Sequence, residues 1–303
     1  MNQQFAVVTG AFGYSGSYIA KLLQDRGIRV RTLTAHRPTV AGDDGIEIAP
    51  FNFDQPDQLA RSLDGASAVF NTYWVRFAYR GVTYERAATN IRALIDAARR
   101  ANVPRFVHIS ITNASPDSPF PYFRGKGIVE QALRTSGLSH AILRPAHLFG
   151  GPKEILTNNI AWLLRKFPLF AVPGDGQYRI QPIFVEDLAA MAVEAAGQTA
   201  NSEIDAVGPE IFAFDEFVRV IARTIGSHCR IVRVNPQVAL ALASVIGRVM
   251  GDVLLTRDEI GGLMANMLVS DRPPTAPTHF SEWLARHARE VGLHYSSELT
   301  KRA

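Results

Sequence analysis

One cysteine, Cys229, stands in 303 residues, so no intrachain disulfide can form and no thiolate pair exists to hold zinc. A reducing compartment follows, read as the cytoplasm. No basic segment followed by an apolar stretch and a cleavage site opens the sequence, so no secretory signal is expected. Long apolar runs are also missing. The most apolar late stretch, Val238 to Ile246, is too short to span a bilayer and is followed by Gly247-Arg248. Basic runs are absent too, the 32 Lys and Arg being scattered among 28 Asp and Glu for a net charge of +4. That excludes a basic tail for nucleic acid and leaves a small-molecule substrate as the expected partner. His36, His108, His140 and His147 show no paired-ligand spacing, and no metal is expected.

What is present is the composition of a globular enzyme, 47% hydrophobic and 20% charged. Phe5 to Val8 is a short apolar run bounded by turn residues, as in a strand buried on both faces. Tyr18, Ile19, Leu22 and Leu23 then recur at helical spacing up to Gly27, and Arg29 to Thr34 gives a second strand. The alternation continues with a strand at Ile46 to Ile48, a helix from Pro56 to Leu63 and a strand at Ala68 to Asn71. A helix from Tyr84 to Ala101, a strand at Arg105 to Ser110, a helix from Tyr122 to Ser136 and a strand at His140 to Leu143 complete it. Such alternation predicts an α/β fold, a doubly wound parallel sheet covered on both faces. After Pro145 the rhythm breaks into turn-rich segments. The expected division is a dinucleotide-binding domain over 1–150 and a smaller, interleaved substrate region over 151–303, with Gln181 to Val185 and the helix to Ala196 returning to the main sheet.

Gly10, Gly13 and Gly16 lie between the first strand and first helix, with Phe12 and Tyr14 among them. A pyrophosphate needs backbone N–H groups aimed at it from a helix N-terminus and a loop free of side chains where the chain comes close. Glycines in this strand-to-helix context supply both, and a dinucleotide is the expected ligand. An acidic residue about twenty positions on holds the ribose 2′-OH of NAD, whereas an arginine favours the 2′-phosphate of NADP. Here the second strand runs into Thr34-Ala35-His36-Arg37, with no carboxylate, so NADP is favoured over NAD.

Tyr122 and Lys126 stand four residues apart, on one face of a predicted helix. A nearby ammonium and a cationic nicotinamide both favour a phenolate, letting a tyrosine act as general acid or base at a carbinol or carbonyl oxygen. Taken with Thr9 to Gly16, Asn71-Thr72-Tyr73, Val107 to Ser110, Arg144-Pro145 and Gln181 to Ala189, the pair resembles the short-chain dehydrogenases/reductases of extended or atypical type. These are the NAD-dependent epimerase/dehydratase-like proteins with a Rossmann domain. The resemblance implies that Tyr122 is the acid/base, that Lys126 holds the nicotinamide ribose, and that Ser110 or Thr112 bonds the substrate oxygen. It also puts Pro145 beside the nicotinamide, Asn71, Thr72 and Tyr73 along the cofactor, and Asn52 and Phe53 where the family meets the adenine. The implied activity is hydride transfer by an oxidoreductase or epimerase.

Two departures qualify that implication. About ten residues separate Thr112 from Tyr122, and Asn52 replaces the family's usual aspartate. The short proline-rich interval Ser115 to Pro121 resembles atypical members, such as the accessory subunit of respiratory complex I and regulators that sense NADP. The alternative is therefore a non-catalytic sensing or assembly protein. Tyr73 to Phe77 has two readings, a wall of the ligand site or core packing. The apolar stretch from Val238 to Met250 reads as an ordinary core or dimer helix, with peripheral membrane contact the less favoured reading.

Overall fold

In the computed structural model, which describes residues 4–34, 45–78, 81–297 and 299, the apolar run at the start becomes β1 (Phe5–Thr9). It passes through the glycine loop into α1 (Tyr14–Asp25), whose Ile19, Ala20 and Leu23 are buried, and Gly27 at φ +75° ends that turn. β2 (Arg29–Thr34), β3 (Ile46–Pro50), α2 (Pro56–Leu63) and β4 (Ala68–Asn71) follow. α2 starts on proline, whose missing N–H is an orphan at that position anyway. Next come α3 (Tyr84–Arg100), β5 (Phe106–Ile109), α4 (Pro121–Arg134) and β6 (His140–Pro145). The Thr83 hydroxyl caps α3 by accepting from the Arg86 amide at 3.2 Å. The later elements are β7 (His147–Phe149), α5 (Leu156–Lys166), β8 (Leu169–Pro173), β9 (Arg179–Ile180), β10 (Pro182–Phe184) and α6 (Val185–Ala196). After them come β11 (Ser202–Ala206), β12 (Phe212–Ala213), α7 (Phe214–Thr224), β13 (Arg230–Val234), α8 (Pro236–Met250), α9 (Arg257–Met264) and α10 (Phe280–His287).

The chain divides into two compact units, Met1–Pro145 with Val185–Asp205, and Ala146–Phe184 with Ala206–Ala303. The first holds a seven-stranded sheet in the order β11-β6-β5-β4-β1-β2-β3, and its strands from β3 to β6 pair parallel. This is the doubly wound order expected of the sequence. Helices α2, α3 and α4 cover one face over a core including Leu59, Ile91, Leu94, Phe106 and Val129. α1 and α6 pack together on the other. The strand order reverses between β1 and β4, the crevice where open parallel sheets collect ligands.

One expectation is corrected. Gln181 to Val185 does not join the main sheet: β10 pairs parallel with β7 in the second unit, and the change of unit falls after Pro145 rather than at 150. The reason lies in Gln181, which is buried and bonds to neighbours from its own unit. Its Nε2 donates to the Gly208 carbonyl at 2.9 Å, and its Oε1 accepts from the Ser270 amide at 3.1 Å. Gly208 has no room for a side chain, since a Cβ there would lie 2.1 Å from the Pro182 carbonyl oxygen. The strand beside β6 is β11, which α6 precedes. The second unit has its own aromatic core, in which Phe149, Phe217, Phe280 and Trp283 are buried.

Candidate functional site

The glycine loop shows why its three glycines are needed. Gly10 adopts φ +71°, and a Cβ on Gly16 would stand 2.1 Å from the Gly10 carbonyl oxygen. Gly13 is nearly as tight, at 3.0 Å from the same atom, and its amide donates to it at 2.8 Å. Gly13 is also the N-cap of α1, with no side-chain cap, and no acid stands in that first turn. The loop therefore leaves the helix N-terminus clear of side chains where Phe12 and Tyr14 flank it, the arrangement that suits a phosphate. The Ala11 amide is held from behind by the Thr32 hydroxyl at 3.1 Å, which donates in turn to the Val8 carbonyl at 2.9 Å.

At the end of β4 the organising residue is Thr9, whose role the motif itself does not announce. Its hydroxyl accepts from the amides of Thr72 at 3.0 Å and Tyr73 at 3.1 Å, and meets Asn71 Oδ1 at 3.0 Å. Thr72 returns a hydroxyl bond to the Thr9 carbonyl. Asn71 is fully buried and its amide nitrogen meets His108 Nδ1 at 2.9 Å, so its side chain braces the switch point from within. His108 is held neutral, its pKa well below the ordinary value, first by burial and then by the Lys126 charge. The Tyr73 ring lies 5.3 Å from Phe53 and 5.1 Å from Phe51, and those two phenylalanines stack at 4.7 Å. Asn52, at φ +45°, directs its amide to Gln58 at 3.2 Å, away from that aromatic shelf. His36 and Arg37 lie outside the described residues.

α4 brings the candidate chemistry to one indole. Tyr122 meets Trp74 edge-on at 5.9 Å, and Lys126 Nζ stands 4.7 Å over the Trp74 ring. Tyr84 and Phe123 close around Tyr122 at 5.8 and 5.5 Å. Lys126 is buried, 3% exposed, and donates to the Ile109 carbonyl at the end of β5 at 2.7 Å. Burial lowers its pKa from 10.5 to about 7, and Glu130 one turn on offsets part of that. Two glycines make the packing possible. A Cβ on Gly125 would come within 2.9 Å of the Trp74 ring, and one on Gly127 within 2.1 Å of the Ser115 carbonyl carbon. The short proline-rich interval is thus pressed onto α4, and the Ser115 amide donates to the Phe123 carbonyl at 3.3 Å.

Of the two hydroxyls expected to meet a substrate oxygen, Ser110 is already committed: its Oγ donates to Glu130 at 2.6 Å. Glu130 is fully buried and also accepts from Arg144 at 2.9 and 2.8 Å and from Arg134 at 2.8 Å. Glu203 of β11 completes the network by binding both arginines, and its pKa falls to about 2, with the Arg134 hydrogen bond the largest cause. Glu130 was missing from the sequence reading, and Trp74 entered it only within the Tyr73 to Phe77 stretch. Glu130 stood one turn beyond Lys126, and Trp74 directly after Tyr73. Thr112 is buried, and its amide donates to the Pro145 carbonyl at 3.0 Å, tying the ends of β5 and β6 together.

Residues 10–160 match the family model described as NAD(P)H-binding. The chain is 26% identical over 289 residues to the mitochondrial NADH dehydrogenase [ubiquinone] 1 alpha subcomplex subunit 9 of Arabidopsis thaliana, covering 88% of this chain and 71% of that one. It is 25% identical over 303 residues to the NAD(P)H azoreductase of Xenophilus azovorans, covering 94% of this chain and 99% of that one. The chain spans 56% of the length of the mouse subunit of the first kind and 62% of the Dictyostelium discoideum one. A nucleoside-diphosphate-sugar epimerase from Staphylococcus aureus shares the fold, with a TM-score of 0.71 at 15% identity over 93% of this chain and all of that one, 100%.

Proposed function

Because residues 10–160 match the family model described as NAD(P)H-binding, we propose that the chain is an NAD(P)(H)-dependent oxidoreductase with Tyr122 as its acid/base. The convergence of Tyr122 and Lys126 on Trp74, beside the switch point and the glycine loop, carries this reading. The loop fits the cofactor: a Gly16 without room for a side chain, a Gly10 at positive φ, a tightly packed Gly13 and a helix start without a side-chain cap would take the pyrophosphate. Phe53 and Tyr73 would flank the adenosine half, and Pro145 would border the nicotinamide. Bound there, the nicotinamide supplies or accepts a hydride. Tyr122 gives a proton to a substrate carbonyl oxygen in reduction and takes it back in oxidation. The Lys126 ammonium lies under the same indole and favours the phenolate while it is charged. Ser110, whose hydroxyl donates to Glu130, and Thr112 are the two hydroxyls assigned to the substrate oxygen. The azoreductase relative supports a reductase; NADP is the proposed form, on the arginine after β2.

A second reading, a cofactor-binding or assembly protein without turnover, is favoured by one observation. Lys126 is covered by Trp74, and its ammonium is already bonded to Ile109. The relatives named as respiratory-complex subunits support it. The test is NADPH and NADH titration by fluorescence, followed by NADPH oxidation against a panel of carbonyl and azo acceptors. Wild type is expected to bind NADPH more tightly, with Gly16→Ala as the binding-defective control. Tyr122→Phe should cut turnover by roughly a hundredfold or more with binding within about threefold. Survival of turnover in Tyr122→Phe would exclude the acid/base role; tight binding with no acceptor reduced would leave the second reading.

A further inference from the structure

α8 does not behave as the core or dimer helix its composition suggested. It buries only its smallest residues, Ala239, Ala243 and Gly247, and a Cβ on Gly247 would stand 2.6 Å from the Asp252 carbonyl oxygen. While Leu240 and Ile246 are half-buried, four of its larger aliphatics face outward, Val238 at 48% exposed, Leu242 48%, Val245 58% and Val249 81%. Spacings of four, three and four residues set these on a single stripe. The neighbouring ribbon continues it. α8 packs beside β8, which pairs with β13 so that Leu169 lies opposite Arg230 and Ala171 opposite Val232. Phe170 and Ile231 point into the aromatic core, leaving Leu169 and Val232 on the other side, exposed by 56% and 37%. With Phe167, seven of the twelve large hydrophobic side chains exposed among the described residues fall on this corner. A contiguous apolar surface of this kind marks an interaction site.

Charge identifies what it meets. Between Glu216 and Asp252 the sequence holds five arginines, Arg219, Arg223, Arg230, Arg233 and Arg248, and no Asp or Glu. Arg223 and Arg233 pair with Glu216 and Asp215, while Arg219, Arg230 and Arg248 have no ion-pair partner among the described residues. A concave surface at the start of the ribbon adds Lys166 and His228 beside Arg230, again with no carboxylate in its lining. A second copy would bring the same cationic rim against itself, because a two-fold interface pairs one patch with its own image. From Val238 to Val249 the α8 stripe has only Ser244 and Arg248 as polar side chains. A protein groove would need such groups to fix register, whereas a fluid apolar phase does not.

We propose that this corner of the second unit, the α8 stripe with the β8–β13 ribbon, docks on an anionic lipid surface. The aliphatic side chains enter the acyl boundary while Arg230, Arg248 and Lys166 lie at the level of the headgroups. The test is flotation of the full chain with vesicles of phosphatidylcholine alone and of phosphatidylcholine with phosphatidylglycerol. Binding is expected only to the anionic vesicles and should weaken as salt is raised. Val249→Asp, at a site exposed enough to leave the fold intact, and Arg230→Glu with Arg248→Glu should each lower binding by roughly tenfold or more. Leu293→Asp, at an exposed leucine outside the corner, should leave binding unchanged. Equal flotation with both vesicle types, none with either, or no effect of Val249→Asp in a chain of unchanged melting temperature would overturn the proposal. So would a wild-type dimer in light scattering that Val249→Asp splits into monomers, because the occupant would then be a second copy.

Discussion

Replacing Lys126 by methionine keeps the length of the side chain and removes its titration, so the two proteins should diverge with pH in a calculable way. In the fold the ammonium is buried beneath Trp74 and its pKa is lowered from 10.5 to about 7, chiefly by burial. A cation whose pKa is lower in the fold than in the unfolded chain adds stability at high pH and loses it as the pH falls. Between 7 and 10.5 the unfolded chain holds a proton that the folded one has released. The wild-type stability, less that of Lys126→Met, should therefore be flat below pH 7 and climb by about 1.4 kcal/mol per unit above it. Across the whole window the gain is on the order of 5 kcal/mol. Below pH 7 the methionine variant should match or exceed the wild type, because the desolvated charge outweighs one hydrogen bond to Ile109. Urea unfolding followed by near-ultraviolet circular dichroism at pH 6, 8 and 9.5 measures the difference, and other titrating groups cancel between the two proteins. A difference constant from pH 6 to 9.5 would mean that Lys126 keeps its proton in the fold, and the burial reasoning would fail.

Two further outcomes follow from the buried charges. His147 is buried and held neutral, its pKa lowered from 6.5 to about 3 by burial. Its contribution is whole above pH 6.5 and lost as the pH falls towards 3, so His147→Phe should unfold less steeply in acid, by up to about 1.4 kcal/mol per pH unit in urea titrations between pH 6 and 4. Arg144→Met leaves Glu130 buried without its bidentate partner and should cost about 3–5 kcal/mol. Adding Glu130→Gln should recover more than half of it in a double-mutant cycle, and simple additivity of the two changes would refute the coupling.

The sheet was legible because its strands are short apolar runs between helices of regular period, and both signals are local. Phe5 to Thr9, Arg29 to Thr34 and Ala68 to Asn71 need no knowledge of partners to be read as strands. Gln181 to Val185 misled because an apolar run after a turn looks alike whether it joins one sheet or another; the choice rests on Gly208 and Ser270, distant in sequence and local in space. The same limit applies at the site. Glycine spacing announced the loop, and the helical pair announced Tyr122 and Lys126. That Asn71 turns inward depends on Thr9 and His108, and that Ser110 spends its proton on Glu130 depends on a helix and a strand meeting it. The outward face of α8 was hidden for a related reason: its fully buried residues are alanine and glycine, so four of the apolar residues that suggest a core are left outside.

Trp74 is the side chain on which the two functional readings divide. Its indole lies over Lys126 and edge-on to Tyr122, and Gly125 leaves the space that lets it do so. Yet its Nε1 is buried without a hydrogen-bond partner, a loss of about 1–3 kcal/mol for an indole N–H. Packing alone would favour a phenylalanine there. A donor held at that disadvantage is relieved either by an acceptor arriving from a ligand or by rotation of the ring towards solvent, and both loosen its hold over Lys126. In the reductase reading the ribose must reach that ammonium, so the indole has to move when the cofactor binds. In the binding reading it can remain. Trp74 is the only tryptophan of the first unit, with Trp162 and Trp283 in the second, so the wild-type emission change lost in Trp74→Phe during the same NADPH titration reports that movement directly. An indole that shifts on binding joins Tyr122 and Lys126 to the chemistry; one that stays in place leaves Lys126 sealed and the chain a carrier of its cofactor.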